Sequence, residues 1–301
     1  MDWTRAIDIY CERVSAAFWA EPVNALTNIA FIAAGLGALV LHARRRGPGL
    51  GAVLWLGLLL SAALVALVSQ IIGTAWAASA SDAPLWLSIG TGALGLAVLT
   101  LALTWAPRAY PDPGLDWPVL WLSGNAIVIG IGSFLFHTVA EPWAGAADTT
   151  PILMFILGFF AVVMNRLVGL GWGRALLAMV GFLVAFVALS TVLRYTVGPY
   201  VGGSQSYFPA FVALVATGWW LKTRRAHPAG PALIQAGWVF LVSLTFRALD
   251  EPLCDVWPLG THFLWHVLNG LVFWILLRAL ILHGRRPGAA PAPCREAAAG
   301  I

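Results

Sequence analysis

Nine mostly apolar stretches follow one another along the chain, at about 24–43, 52–73, 84–106, 117–138, 149–168, 174–196, 207–223, 231–250 and 261–283. Each is near the roughly 20 residues that an α-helix needs to cross a bilayer. Inside hydrocarbon every backbone polar group must be satisfied within the protein, which leaves helices and closed barrels as the spanning structures. The runs are too long and too free of alternation for barrel strands. Composition agrees: 60% of residues are hydrophobic and 10% charged, where a soluble domain carries about 25% charged residues. The expected fold is an all-α polytopic membrane protein of about nine spanning helices.

The runs are separated by polar or Pro/Gly-rich breaks such as RRRGPG, PRAYPDPGLD, EPWAGAAD and DEPLCDVWPLG, which are turn and loop signals. None is long enough to separate domains, so residues 1–283 are expected to form one membrane-embedded bundle. Residues 284–301, Pro/Ala-rich, are expected to form a disordered tail. The start, MDWTRAIDIYCERVSAAFWAEP, has no basic region leading into an apolar core, so the first span is expected to act as its own insertion signal.

Orientation follows from the basic residues in short loops. Arg44, Arg45 and Arg46, Arg108, Arg166 and Arg174, Lys222, Arg224 and Arg225, and Arg285 and Arg286 fall in alternate loops. Those loops are expected to be cytoplasmic, with the N-terminus outside and the C-terminus inside. His42, His227 and His283 then sit at cytoplasmic ends as interfacial residues, and the many tryptophans mostly form interfacial belts.

Ionisable groups at or within membrane helices are costly and mark function. On this topology Glu21 and Asn24, Ser133 and His137, Asp148, and His262 and His266 all reach the outer leaflet, although they span some 245 residues of sequence. His262 and His266 are i and i+4 and share a helix face, as do Ser133 and His137. Three histidines from two helices can supply the nitrogen shell of a catalytic Zn²⁺ with a fourth position open. Asp148 could then move protons, and Ser133 could donate to a developing oxyanion. Plainer roles stand beside these: histidines also bond across membrane helices, Ser133 is small enough for close packing, and Asp148 before Thr149–Thr150–Pro151 could cap a helix.

The set Ser133-x3-His137, Asp148 eleven residues later, and His262-x3-His266 with Trp265 before the second histidine resembles the alkaline ceramidase family. That family belongs to a superfamily of seven-helix membrane hydrolases that also holds the adiponectin-receptor-like proteins. CER at 11–13 and AEPVNALTN at 20–28 are similar to its N-terminal elements. The resemblance implies a zinc-dependent amidase acting on a membrane lipid, cleaving the N-acyl bond of ceramide or a related lipid. It assigns His137, His262 and His266 to zinc, and Ser133 and Asp148 to catalysis. It also implies a Ca²⁺ site on Asp8, Glu12 and Glu21, although the Asp-to-Cys spacing is one residue longer here and Val14 replaces an expected Asn. It pairs Cys11 with Cys254 in a disulfide; Cys294, in the expected cytoplasmic tail, is expected to be a free thiol.

Against a seven-helix core, residues 50–110 read as an inserted helical hairpin. The expected location is a bacterial inner membrane with the site near the periplasmic face and no nucleic-acid partner. A receptor or regulator with a structural or weakly hydrolytic zinc is the alternative; the eleven-residue spacing from His137 to Asp148 favours the ceramidase branch. A transporter would place polar groups at mid-bilayer on several helices, whereas these gather at one end.

Overall fold

The computed structural model describes residues 2–46, 49–79 and 115–284. Among them it is all-helical, with α1 (Pro22–Thr27), α2 (Ile29–Arg46), α3 (Leu50–Ser79), α4 (Trp117–Val139), α5 (Pro142–Val163), α6 (Trp172–Thr196), α7 (Phe208–Arg225), α8 (Ala229–Leu249) and α9 (His262–His283). Among the described residues, seven helical segments are long and apolar enough to cross a membrane. They define an integral multi-pass membrane protein. The expected third span, at 84–106, lies outside the described residues. The short α7 ends in Lys222, Arg224 and Arg225; Lys222 lies over the Trp219 ring and Arg225 over Trp220, an arrangement that keeps the charges at the helix end.

Proline marks several helix starts. Pro22, Pro118, Pro142 and Pro209 occupy first-turn positions of α1, α4, α5 and α7, where a missing N–H costs no intrahelical bond. This corrects one boundary. EPWAGAAD is not a loop before the fifth span: Pro142 opens α5, and Asp148 lies in its second turn rather than capping its start. The far end of that span continues into a π-turn, Met164–Val168. It brings Arg166 against Asp116, with Nη2 3.2 Å from Oδ1.

One apolar core runs through α2, α4, α5, α7, α8 and α9, with Phe31, Ile129, Phe155, Leu233, Phe273 and Leu277 among its buried members. α3 adds to this bundle from the side through Val53, Leu56 and Leu60 against Leu39 and Leu120. The Ser61 hydroxyl donates to Gly124 O on α4 at 3.3 Å. α6 is the outlier: Ala175 is its one fully buried residue, and Leu177, Val184, Val187 and Val192 are exposed. A helix that apolar and that exposed has lipid as its solvent.

The N-terminal segment before α1 is a strap across one end of the bundle. Ile7 N donates to Ala140 O at 2.7 Å, and Cys11 N donates to Asp250 Oδ2 at 3.1 Å. Cys11 is joined to Cys254 by a disulfide, Cα atoms 5.1 Å apart, in agreement with the pairing that the family resemblance implies. Glu12 accepts from Val23 N and Asn24 N at 2.7 and 2.8 Å, so a carboxylate ten residues before Pro22 satisfies orphan donors that open α1.

Candidate metal centre

The strap end of the bundle holds the histidines. His137 stands in the last turn of α4, and His262 and His266 in the first two turns of α9. All three are buried, and each offers a nitrogen within 4.8 Å of the others. Ring centroids lie 5.1 Å apart for His137 and His262, and 4.7 Å for the other two pairs. Among the described residues this is the one group of His, Cys, Asp or Glu that could hold a metal ion.

Hydrogen bonding fixes how the rings present themselves. His137 Nδ1 lies 2.6 Å from Glu21 Oε2; a carboxylate only accepts, so Nδ1 carries a proton, and in the neutral ring Nε2 keeps its lone pair. That Nε2 is buried without a hydrogen-bond partner. Thr27 Oγ1 donates to Val23 O at 2.8 Å, so toward His266 Nδ1, 3.0 Å away, it accepts. His266 Nε2 is left as a donor of electrons in the same way. His262 Nδ1 is also buried and unpartnered. Buried polar atoms without partners are rare and call for an ion or water. Nδ1 protons pinned by oxygens are the outer-shell arrangement of metal-bound histidine. The residues present therefore fit a metal.

Glu21 is central to this arrangement. Besides His137 it accepts from Arg13 Nε and, at 3.1 Å, from Asn24 Nδ2. Arg13 also donates to His137 O at 3.0 Å, closing the end of α4. Burial alone would raise the Glu21 carboxyl, but the hydrogen bonds of His137, Arg13 and Asn24 hold it below its ordinary value.

The three carboxylates expected to bind calcium are not assembled as one ligand set. Asp8 is exposed on the strap, Glu12 serves the α1 backbone, and Glu21 is tied to Arg13 and His137.

Asp148 and Ser133 do meet. The Ser133 hydroxyl faces the Asp148 carboxyl. Asp148 Oδ1 is buried without a partner. Two sequence features make this possible. Pro151 has no N–H to bond Ala147 O four residues back. On the facing helix Gly132 has no side chain, and a Cβ there would run into Ala147 O and lie 3.2 Å from Asp148 N. α4 and α5 therefore touch backbone to backbone beside the site. Gly132→Ala should force them apart and destabilise the protein by about 1–3 kcal/mol, seen as a lowered Tm; an unchanged melting curve would refute the close approach.

Several residues at the site gave no sequence signal. Asp250, buried between α8 and α9, accepts at Oδ1 from Thr261 N and His262 N, at 2.7 and 2.8 Å. It thus caps α9 from twelve residues away and sets the turn carrying His262. Gly260, at φ +68°, leaves room for that carboxylate. Tyr10 stacks on His262 with centroids 3.8 Å apart; burial raises its phenol above the ordinary value, so it stays protonated. Arg247 reaches the site from α8.

Beneath the histidines lies an apolar cavity of about 80 Å³, lined by Phe155, Phe159, Phe182, Tyr207, Trp265 and Phe273 among others. Trp265 adjoins His266, and Asn269, another lining residue, is less than one turn further along α9.

Fold and site together define the class: a multi-pass membrane protein, helical throughout its described residues, with a buried three-histidine centre above an apolar cavity. Comparison with known proteins gives no matching family model, no matching curated protein and no matching solved structure.

Proposed function

We propose that the protein is a zinc-dependent membrane amidase that hydrolyses the N-acyl bond of ceramide or a related N-acyl lipid. One observation carries this reading: three buried histidines, their ring nitrogens close together, converge beside an acid–serine pair and over an apolar cavity. His137, His262 and His266 would hold the metal. A three-nitrogen shell leaves zinc an open position, and zinc there supplies Lewis-acid polarisation of a carbonyl and lowers the pKa of a water to about 7.

The chain's own groups do the remaining work. The cavity takes the acyl chain, which sets the amide carbon at the level of the histidines. Water adds to that carbon as Asp148 Oδ1 accepts its proton. The Ser133 hydroxyl donates to the oxygen on which negative charge develops. Asp148 then returns the proton to the amide nitrogen as the C–N bond breaks, giving a fatty acid and a free amine. Glu21 and Thr27 hold their histidines in the metal-facing tautomer throughout. On the charge of the loops, this end of the bundle faces the outer side of the membrane.

The test is metal analysis of purified protein coupled to a screen of N-acyl lipids. Wild-type protein should hold about one zinc and release fatty acid from at least one of them. His266→Ala should lose both metal and hydrolysis. Protein that is active while free of metal would end the proposal.

A further inference from the structure

Arg247 is the charge at this site that the amidase reading leaves without a task. It projects from the last turn of α8, and its guanidinium carbon lies 5.7 Å from the ring centroids of both Tyr207 and Trp265. Those two aromatics are lining residues of the apolar cavity. Nη1 donates to Gly202 O at 2.9 Å and to Ser204 Oγ at 3.0 Å, and the Tyr10 hydroxyl lies against the guanidinium. The loop contacts use one of its three nitrogens. No described carboxylate lies within ion-pair distance of it, although its field reaches Asp148, His262 and His266.

A guanidinium stays charged in any protein environment and presents a planar fork that matches carboxylate or phosphate. Holding that charge at the edge of an apolar cavity is costly unless an anion meets it. Loop anchoring alone would be served by Nη1. A neutral lipid amide would leave the remaining donors unused, directly beside the place where the scissile bond is expected.

We infer that Arg247 is a recognition site for an anionic group, carboxylate or phosphate, on the amine portion of the lipid whose acyl chain fills the cavity. The inference rests on the amidase reading and narrows its substrate class. The cleaved lipid is an N-acyl compound with a negative charge a few bonds from the amide nitrogen, rather than a neutral ceramide. The aromatic pair sets the acyl chain on one side and the guanidinium on the other, and Tyr10 steadies the guanidinium from the strap.

The experiment measures binding to metal-free, detergent-solubilised protein by quenching of tryptophan fluorescence, so that it does not depend on turnover. N-palmitoylglycine, N-palmitoylethanolamine and palmitate share one acyl chain and differ in charge and its position. Wild-type protein should bind N-palmitoylglycine at least about 10-fold more tightly than the neutral ethanolamide, as expected for a charge-assisted contact. R247Q should remove most of that preference, and R247K should keep part of it, which separates charge from folding; equal Tm values for the two variants complete that control. Equal binding of both amides by wild-type protein, or a preference that survives R247Q, would overturn the inference. Palmitate binding as tightly as N-palmitoylglycine with the same Arg247 dependence would also overturn it, by assigning the charge to the acid product. If the preference is present and the metal-loaded protein hydrolyses neither amide, the anion site stands and the amidase reading fails.

Discussion

Glu21→Ala should weaken metal binding by about 10–100-fold, the usual cost of losing a histidine's outer-shell partner, and should destabilise the fold by about 3–5 kcal/mol. Both effects come from one carboxylate. Glu21 Oε2 holds the Nδ1 proton of His137, and Oε1 takes Arg13 Nε; both partners are buried. Removal leaves a guanidinium with no counter-charge in an enclosed site, and it leaves the imidazole free to change tautomer. Truncating one member of a buried pair costs more than the pair contributes, because the surviving charge stays desolvated. Glu21→Gln should fall between wild type and Ala, since an amide can still accept one of these bonds. Titrating the metal-free protein with zinc against a competing chelator, alongside thermal melts in one detergent, measures both effects. A Glu21→Ala protein with wild-type zinc affinity would show that the histidine needs no orienting partner.

The second large effect concerns the strap. Cys254→Ser should lower stability by about 2–5 kcal/mol, because the bond it removes closes a loop over a sequence separation of 243 residues. Chain entropy accounts for some of that loss. The remainder is local: Tyr10 and Arg13 flank Cys11 closely, so releasing it loosens the ring stacked on His262 and the guanidinium bound to Glu21. Melting wild-type and Cys254→Ser protein with and without reductant separates the two states. Reductant should lower the wild-type Tm and leave the variant unmoved. A wild-type Tm indifferent to reductant would mean that the strap is held by its hydrogen bonds alone.

The membrane class, most helix positions and the histidine triad are readable in the sequence for a physical reason. Apolar runs of bilayer length admit few folds, and imidazoles at i and i+4 on an apolar helix have few neutral explanations. The start of α5 is harder to read, because EPWAGAAD has the composition of a break. Proline and small residues there open a helix and let it pack closely, and composition alone does not separate these uses. The roles of Glu12 and Glu21 are hidden differently. A carboxylate near an N-terminus is equally suited to a cation, a helix end or an arginine, and only the neighbours decide. Here Val23 N, Asn24 N, Arg13 and His137 are those neighbours. Asp250 and Gly260 act on the turn that starts α9 through contacts made across a loop, which no periodicity records.

The exposure of α6 bears on how any ligand of the cavity is counted. Phe182, on that helix, is a piece of the cavity wall, yet most of the helix stands in lipid. A lipid that enters this chamber past that helix would come from the surrounding leaflet, already dissolved in it. Occupancy then follows the ligand's mole fraction among the lipids, and adding water to a suspension of vesicles leaves it unchanged. For this protein the effective solution is two-dimensional, and the composition of the membrane takes the place that bulk concentration holds for a soluble enzyme.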